Sequence, residues 1–360
     1  MEHAQQLLLD YVEPASGLSL RDLDALRDLQ RVDGHYVASL RLPFPVGDYG
    51  PQLEDALAAR LAAAGITEPL RLRLQPAIAS HAVQPTLQPL KDIRNIVAVG
   101  SGKGGVGKST VAVNLALAWA AAGARVGLLD ADVYGPSQPI MTGLVGRKPE
   151  VTAGKKLVPL EAHGLKVMSI GLLVDASQPM VWRGPMATQA LSQLLNDCEW
   201  GPLDYLVIDL PPGTGDIQLT LAQKIPVAGA VIVTTPQEIA TADALKGLRM
   251  FEKVSVPVLG IVENMSTHVC SQCGHVEALF GEGGGLRLAQ ESGLRLLGQL
   301  PLDARVRAEA DGGAPSIVAA PQSARAAAFR DMARNVAGAL ACRPVTRRNI
   351  FGKIVVEERK

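Results

Sequence analysis

Charge of one sign is what this 360-residue chain lacks: 35 Lys and Arg stand against 35 Asp and Glu, for a net charge of zero. No global field would draw it onto nucleic acid or an anionic membrane. Aromatic residues are scarce, at 4%, so a core must be built from Leu, Val, Ile and Ala. Four cysteines in a chain this long make no disulfide framework, and reduced thiols are expected. Apolar runs such as Leu115–Ala122 fall far short of the roughly 20 residues that span a bilayer. The opening Met-Glu-His-Ala-Gln-Gln lacks the charged-then-apolar layout of an export signal. These absences lead us to expect a cytoplasmic protein with neither membrane nor nucleic acid as partner. What is plentiful is apolar: 48% hydrophobic against 19% charged, enough for a large core and against wholesale disorder.

The chain changes character near residue 80. Residues 1–79 read as a small α+β domain, with helices expected at Glu2–Tyr11 and Gln52–Ala64 and strands at His35–Leu42 and Leu70–Leu74. Residues 80–94, with Pro85 and Pro89 and few apolar clusters, read as a linker. From Asn95 the pattern becomes strand, loop, helix, repeated to about residue 342. The strand candidates are Ile96–Val99, Arg125–Leu129, Lys166–Ile170, Tyr205–Ile208, Ala230–Thr234, Val258–Val262 and Leu296–Gln299. They are short and apolar on both faces, as buried parallel strands covered by crossover helices are. The helix candidates include Ser109–Ala122, Met186–Asn196, Thr241–Lys253 and Ala324–Leu340. The expectation is an α/β doubly wound, mostly parallel sheet of about seven strands. Residues 343–360 read as a basic, solvated tail.

The first of those strands runs into Gly102-Lys-Gly-Gly-Val-Gly-Lys-Ser-Thr110, which satisfies G-x-x-x-x-G-K-[ST] through Gly102, Gly107, Lys108 and Ser109. Glycines such as Gly104, Gly105 and Gly107 let the backbone N–H groups around Val106 and Thr110 turn inward on phosphates. The following helix offers its positive end. Lys108 brings a point charge to the β- and γ-phosphates, and the Ser109 hydroxyl can ligate Mg²⁺. A Gly-rich turn of no function is the bland alternative, and the strand–loop–helix context weighs against it. Asp209 ends an apolar strand in Asp204-Tyr-Leu-Val-Ile-Asp-Leu-Pro-Pro-Gly-Thr-Gly-Asp216, where a carboxylate holding Mg²⁺ belongs. Asp130 and Asp132 lie just past the second strand, on the edge where ligands of doubly wound sheets bind.

A second informative stretch is Cys270-Ser-Gln-Cys273-Gly-His275. C-x-x-C lets two thiolates reach one metal or cluster. Three readings compete: half a zinc site completed by His268 or His275, a redox pair, and a cluster shared by two copies of the chain. Redox pairs open a helix in a thioredoxin-like unit, which this pattern lacks. Counting favours the shared cluster, since one chain supplies two thiolates locally and iron–sulfur clusters usually want four. Cys198 and Cys342 read as small buried apolar residues.

The loop's extra lysine, Lys103, resembles the deviant Walker A loop of the MinD/ParA/nitrogenase-iron-protein superfamily. That resemblance implies a homodimer in which Lys103 reaches the partner's nucleotide and Asp132 helps orient the attacking water. The fuller set resembles the Mrp/ApbC-type iron–sulfur cluster carrier ATPases: G-K-G-G-V-G-K-S-T, D-A-D-V-Y-G-P-S, V-I-D-L-P-P-G-T-G-D, and E-N-M-S followed by C-x-x-C. The match spans about Asn95 to Ala341. It implies ATP and Mg²⁺ binding, slow hydrolysis, and a [4Fe–4S] cluster bridging two subunits through Cys270 and Cys273. It also implies a cluster donor and apo iron–sulfur proteins as partners, and places Asn264 near the adenine; Pro301–Asp303 follows the last strand on the same edge, and both stretches read equally well as turn residues. Residues 1–79 look like the small domain fused to bacterial members, with Glu13-Pro14 where Asp-Pro is usual and no cysteine in Leu42-Pro-Phe-Pro-Val-Gly. A docking or scaffold role follows for that unit. The rival expectations are a MinD/ParA-type positioning ATPase with zinc on its C-x-x-C, and an electron-transfer protein like the nitrogenase iron protein.

Overall fold

The computed structural model describes residues 1–173, 184–270 and 272–346. Its first unit opens with α1 (Glu2–Leu9) and the two-residue strands β1 (Val12–Glu13) and β2 (Leu18–Ser19). A hairpin of β3 (Leu26–Val32) and β4 (His35–Leu42) follows, then α2 (Tyr49–Ala63) and β5 (Leu70–Pro76), which lies parallel to β4. Strand β4 alternates buried and open residues along most of its length, and its buried Tyr36, Ala38, Leu40 and Leu42 face α2 residues such as Leu53 and Leu57 in one core. The strand β3 has no counterpart in the sequence expectation. Its Leu-Arg-Asp-Leu-Gln-Arg-Val is mostly exposed, so no two-residue apolar rhythm marks it.

The second unit is built on β6 (Ile93–Ser101), α3 (Lys108–Ala121), β7 (Val126–Asp130), the single turn α4 (Gln138–Met141), β8 (Leu160–Ala162) and β9 (Leu165–Ser169). It continues through α5 (Gly184–Asn196), β10 (Leu203–Asp209), α6 (Asp216–Lys224), β11 (Gly229–Thr234), α7 (Glu238–Lys253) and β12 (Val258–Glu263). A small hairpin, β13 (His268–Val269) with β14 (Val276–Glu277), precedes α8 (Gly284–Glu291), β15 (Leu296–Gln299), α9 (Ala304–Asp311), α10 (Ser316–Ala319) and α11 (Ala324–Ala341). The strands form an eight-stranded sheet in the order β15-β12-β11-β6-β10-β7-β9-β8. Seven of them are parallel, and β8 runs antiparallel on the edge. The expected count of about seven is thus one short. At three residues, β8 is too brief to carry a period of its own. Strands β6, β10 and β11 are buried almost throughout, and helices cover both faces, so two apolar layers flank the sheet. Among the described residues no helix is long and apolar enough to cross a membrane.

The two units share one apolar layer, from Leu8, Phe44 and Leu57 to Trp119, Phe329 and Leu340. Glu13 is fully buried at this junction, where its carboxylate accepts from Ala15 N (3.0 Å), Ser16 N (2.7 Å) and the Tyr49 hydroxyl (3.0 Å). The turn so held presents the Pro14 and Ala15 carbonyls to the Arg295 guanidinium at 2.9 and 2.5 Å. Arg334 on α11 lies over the Tyr49 ring, 4.2 Å from its centroid. The stretch read as a linker carries two buried polar anchors. His81 sits on Asn95 Oδ1, and the Gln84 side chain donates to Ala222 O and Ile225 O while accepting from Val227 N. The start of the expected solvated tail pairs with the same stretch: Ala82 N donates to Pro344 O and Thr346 N to Ser80 O. That contact corrects the tail reading for residues 343–346. The basic residues from Arg347 to Lys360 lie outside the described residues.

Among the described residues Trp119 is the largest fully buried side chain. It stacks on Tyr205 at 4.2 Å and donates from Nε1 to Ala333 O at 2.9 Å, joining α3, β10 and α11. Trp119→Ala should therefore lower unfolding stability by about 3–5 kcal/mol, measured by urea titration. A loss below about 1 kcal/mol would show that these layers are not joined at this residue.

Candidate nucleotide site and cysteine hairpin

Parallel register brings the acidic residues together. Val99 of β6 pairs with Asp209 of β10, Asp209 with Asp130 of β7, and Asp130 with Ser169 of β9. Asp209, Asp130 and Ser169 are the last residues of their strands, and the loop from Gly102 to Gly107 leaves β6 on the same edge. The cleft there, about 250 Å³, is lined by Lys103, Lys108, Ser109, Asp132 and Ser137 among others.

Two glycines of the loop are required for different reasons. Gly107 has φ +82°, and a Cβ there would lie 2.2 Å from the Asn264 amide nitrogen. Gly102 has an ordinary φ, but a Cβ would lie 2.0 Å from Asp243 O on α7. So Gly102 serves helix-on-loop packing, while Gly107 turns the chain into α3. The loop is clipped on its other side by Gly213 N donating to Ser101 O (2.9 Å) and by the Ser101 hydroxyl donating to Lys103 O (2.9 Å).

Lys108 is buried, and its ammonium makes an ion pair with Asp209, which is fully buried. The same ammonium lies 3.2 Å from Ser109 Oγ. A cation therefore already bridges the hydroxyl and carboxylate that would hold Mg²⁺, a hard-oxygen set suited to that ion. The open, glycine-lined loop beside it fits a chain of phosphates. Asp130 is enclosed, with Oδ1 accepting from Asp132 N (3.1 Å) and Oδ2 from Gln138 N (3.1 Å) and the Ser169 hydroxyl (3.1 Å). Burial, then the Asp209 charge, pushes its carboxyl up to about 7. Burial also raises the Asp132 carboxyl, against the pull of Lys108.

Gln138 was not singled out from the sequence. It is fully buried and donates from Nε2 to Ser109 O (3.1 Å) and Asp209 Oδ2 (2.9 Å), so it ties the loop to the acidic edge. A glutamine between Ser137 and Pro139 carries no distinguishing signal, because nothing local shows that its partners come from α3 and β10. Ser169 was missed for the same reason.

Asn264 donates from its side-chain amide to Val106 O at 2.9 Å, so it braces the phosphate loop directly. From there the chain is zipped to the segment after β15: Ser266 N to Leu300 O (2.9 Å), Leu302 N to Thr267 O (2.8 Å), and His268 Nδ1 against Leu302 O (3.1 Å). Pro301–Asp303 thus lies alongside the path from Asn264 to the cysteines. In the hairpin turn Cys270 N donates to His275 O (2.8 Å) and Gly274 N to Cys270 O (2.9 Å). Backbone N–H groups of Cys273, then Gln272, hold the Cys270 thiol below its usual range. Cys273 is exposed. Among the described residues no group of three His, Cys, Asp or Glu is placed to hold a metal, so Cys270 and Cys273 stand as a pair. Cys198 is buried as expected, whereas Cys342, just past the end of α11, is exposed and donates to Ser16 O at 3.4 Å, far from the hairpin in the chain.

A family model described as the NUBPL iron-transfer P-loop NTPase, of the ParA group, matches residues 92–337. The iron-sulfur cluster carrier protein of Haemophilus influenzae is 48% identical over 332 residues, 92% of this chain and 90% of that one. That of Pseudomonas fragi is 57% identical over 264 residues, 73% and 92% of the two chains. Among solved structures, a nucleotide-binding protein of Archaeoglobus fulgidus in complex with ADP is 42% identical, with a TM-score of 0.56 over 62% of this chain and 88% of that one. The cell division ATPase MinD of Pyrococcus furiosus, at 20% identity and a TM-score of 0.50 over 67% of this chain and 98% of that one, shares the fold.

Asp130 generates a pH dependence. Its folded carboxyl is raised from 3.8 to about 7, so the folded protein binds that proton more tightly than the unfolded chain. The stabilisation is fully present below the unfolded value and is lost as pH rises through the folded one. Asp130→Asn lacks this titration. The stability of the wild type relative to the variant, from urea titrations, should fall between about pH 4 and pH 7 and then level off. A difference independent of pH would contradict this.

Proposed function

The chain belongs to the NUBPL-type iron-transfer P-loop NTPase family, and on that premise we propose that it is an ATP-hydrolysing carrier of a [4Fe–4S] cluster, held between two copies of the chain and passed to apo iron–sulfur proteins. The single observation that carries the coupling of the two activities is the path out of β12. Asn264 braces the phosphate loop at Val106 O, and the next residues are zipped to Leu300 and Leu302 before reaching Cys270. A shift of the loop on nucleotide binding therefore pulls on the element that bears the thiolates.

Bound ATP is the phosphoryl donor, and Mg²⁺, which Ser109 and Asp209 would hold, would supply charge neutralisation at its phosphates. The chain's own residues do the rest. Lys108 leaves Asp209 for the phosphates, freeing Asp209 and Ser109 to hold the ion. The N–H groups of residues 102–110 cradle the phosphates, Asp132 orients the attacking water, and Lys103 reaches the nucleotide of the second copy. Asn264 and the adjoining Pro301–Asp303 segment flank the base. Hydrolysis is slow because its task is to switch the dimer between states of different cluster affinity, not to turn over substrate. Cys270 and Cys273 from each copy complete the set of about four thiolates that such a cluster takes. The low-lying Cys270 thiol favours the ionised ligand form. Residues 1–79 act as a docking unit, and the balanced charge suits work in the cytoplasm away from membranes and nucleic acid.

The test is anaerobic reconstitution of the full chain with iron and sulfide, followed by iron, sulfide and zinc counts and sizing. The wild type should take up about four irons per dimer, and the Cys270→Ala/Cys273→Ala variant should take up essentially none. Equal iron and sulfide in the two proteins, or one zinc per chain, overturns the reading.

A further inference from the structure

Ser137 lines the phosphate cleft together with Lys103, Lys108, Ser109 and Asp132. Its hydroxyl oxygen is shut off from solvent and has no hydrogen-bond partner among the described residues. A serine just ahead of a helical turn ordinarily turns its hydroxyl onto that turn's backbone N–H groups. Here it does not: α4 has no side-chain cap, and only the Ser137 carbonyl serves it, accepting from Ile140 N at 3.2 Å and Met141 N at 3.1 Å. A buried hydroxyl that declines its local partner calls for another one.

The neighbours of Ser137 fix where it stands. Gln138, next in the chain, is anchored to Ser109 O, to Asp209 Oδ2 and, through its backbone N–H, to Asp130 Oδ2. At the other end, the Asp132 carboxylate accepts from Tyr134 N and Gly135 N, both at 3.3 Å. The segment from Asp132 to Gln138 is thus pinned along the acidic edge of the cleft, while the loop of residues 102–107 wraps it from β6. The inner phosphates belong to that loop's own N–H groups and the start of α3. What the pinned segment can reach is the outer end of the phosphate chain, beside the water-orienting Asp132.

We infer that Ser137 is a nucleotide-binding residue whose hydroxyl donates to the terminal phosphate of bound ATP, so that this segment distinguishes triphosphate from diphosphate. The hydroxyl gains its missing partner only in the triphosphate state. This rests on the ATP-binding reading above and adds to it a residue and a selectivity.

The test measures binding of Mg²⁺ with ADP, and of Mg²⁺ with a non-hydrolysable ATP analogue, to the full-length protein by calorimetry. Ser137→Ala should weaken the analogue by about tenfold and leave ADP within about twofold, as expected for one lost hydrogen bond to a charged group. Ser137→Thr, which keeps a hydroxyl, should recover most of the analogue affinity. Because the alanine variant loses an unpartnered group, its nucleotide-free thermal midpoint should equal or exceed that of the wild type. An unchanged analogue affinity, or equal weakening of both nucleotides, overturns the inference while ADP binding by the wild type leaves the nucleotide reading standing. A wild type that binds neither overturns both.

Discussion

The Lys108 ammonium and the Asp209 carboxylate are buried together, and neither could be buried alone. Their pairing depends on the parallel sheet. Asp209 ends β10, the neighbour of β6, whose outgoing loop delivers Lys108 at the first position of α3. Adjacent Asp130 cannot share the same cation equally, and its carboxyl rises to about 7 in response to burial and to the Asp209 charge. An enclosed edge with one ammonium and two carboxylates is poised for a further cation and an anionic ligand. Bringing both in together would keep the charge balanced if Lys108 moved off Asp209.

That edge explains the surrounding structure. Gln138 uses the second oxygen of Asp209 and so ties the segment after β7 to the phosphate loop. Asn264 braces the loop from the opposite side, through β12. The cysteine hairpin hangs from that same strand and is zipped to the segment after β15. The glycine-rich loop, the acidic edge and the cysteine pair are thus consecutive parts of one hydrogen-bonded assembly. The first unit is mounted elsewhere, on α11 and the start of β15, through the Glu13 turn, Arg295 and Arg334.

Much of this was legible in the chain. The apolar strands between helices announced a parallel sheet because burial on both faces leaves no polar alternation, and β15 fell on its expected residues. The phosphate loop was legible because its chemistry is local: glycines, a lysine and a hydroxyl within one turn. The strands β3 and β8 were not, one being largely solvated and the other only three residues long. His81 and Gln84 were taken for linker residues because the groups they bond, on Asn95 and at the end of α6, lie outside that stretch of sequence.

By itself the sequence determined which groups could do chemistry, and on which strand ends they would lie: Lys103, Lys108 and Ser109, Asp132 and Asp209, Cys270 and Cys273. Residue type and local spacing suffice for that. Only the tertiary structure decided how those groups meet. It set Lys108 on Asp209, used Gly102 for packing against α7 and Gly107 for clearance of Asn264, buried Gln138 between loop and edge, and left the Ser137 hydroxyl without a partner. These are contacts between residues far apart in the chain. Their energies come from burial and from register between strands, which no window of sequence contains.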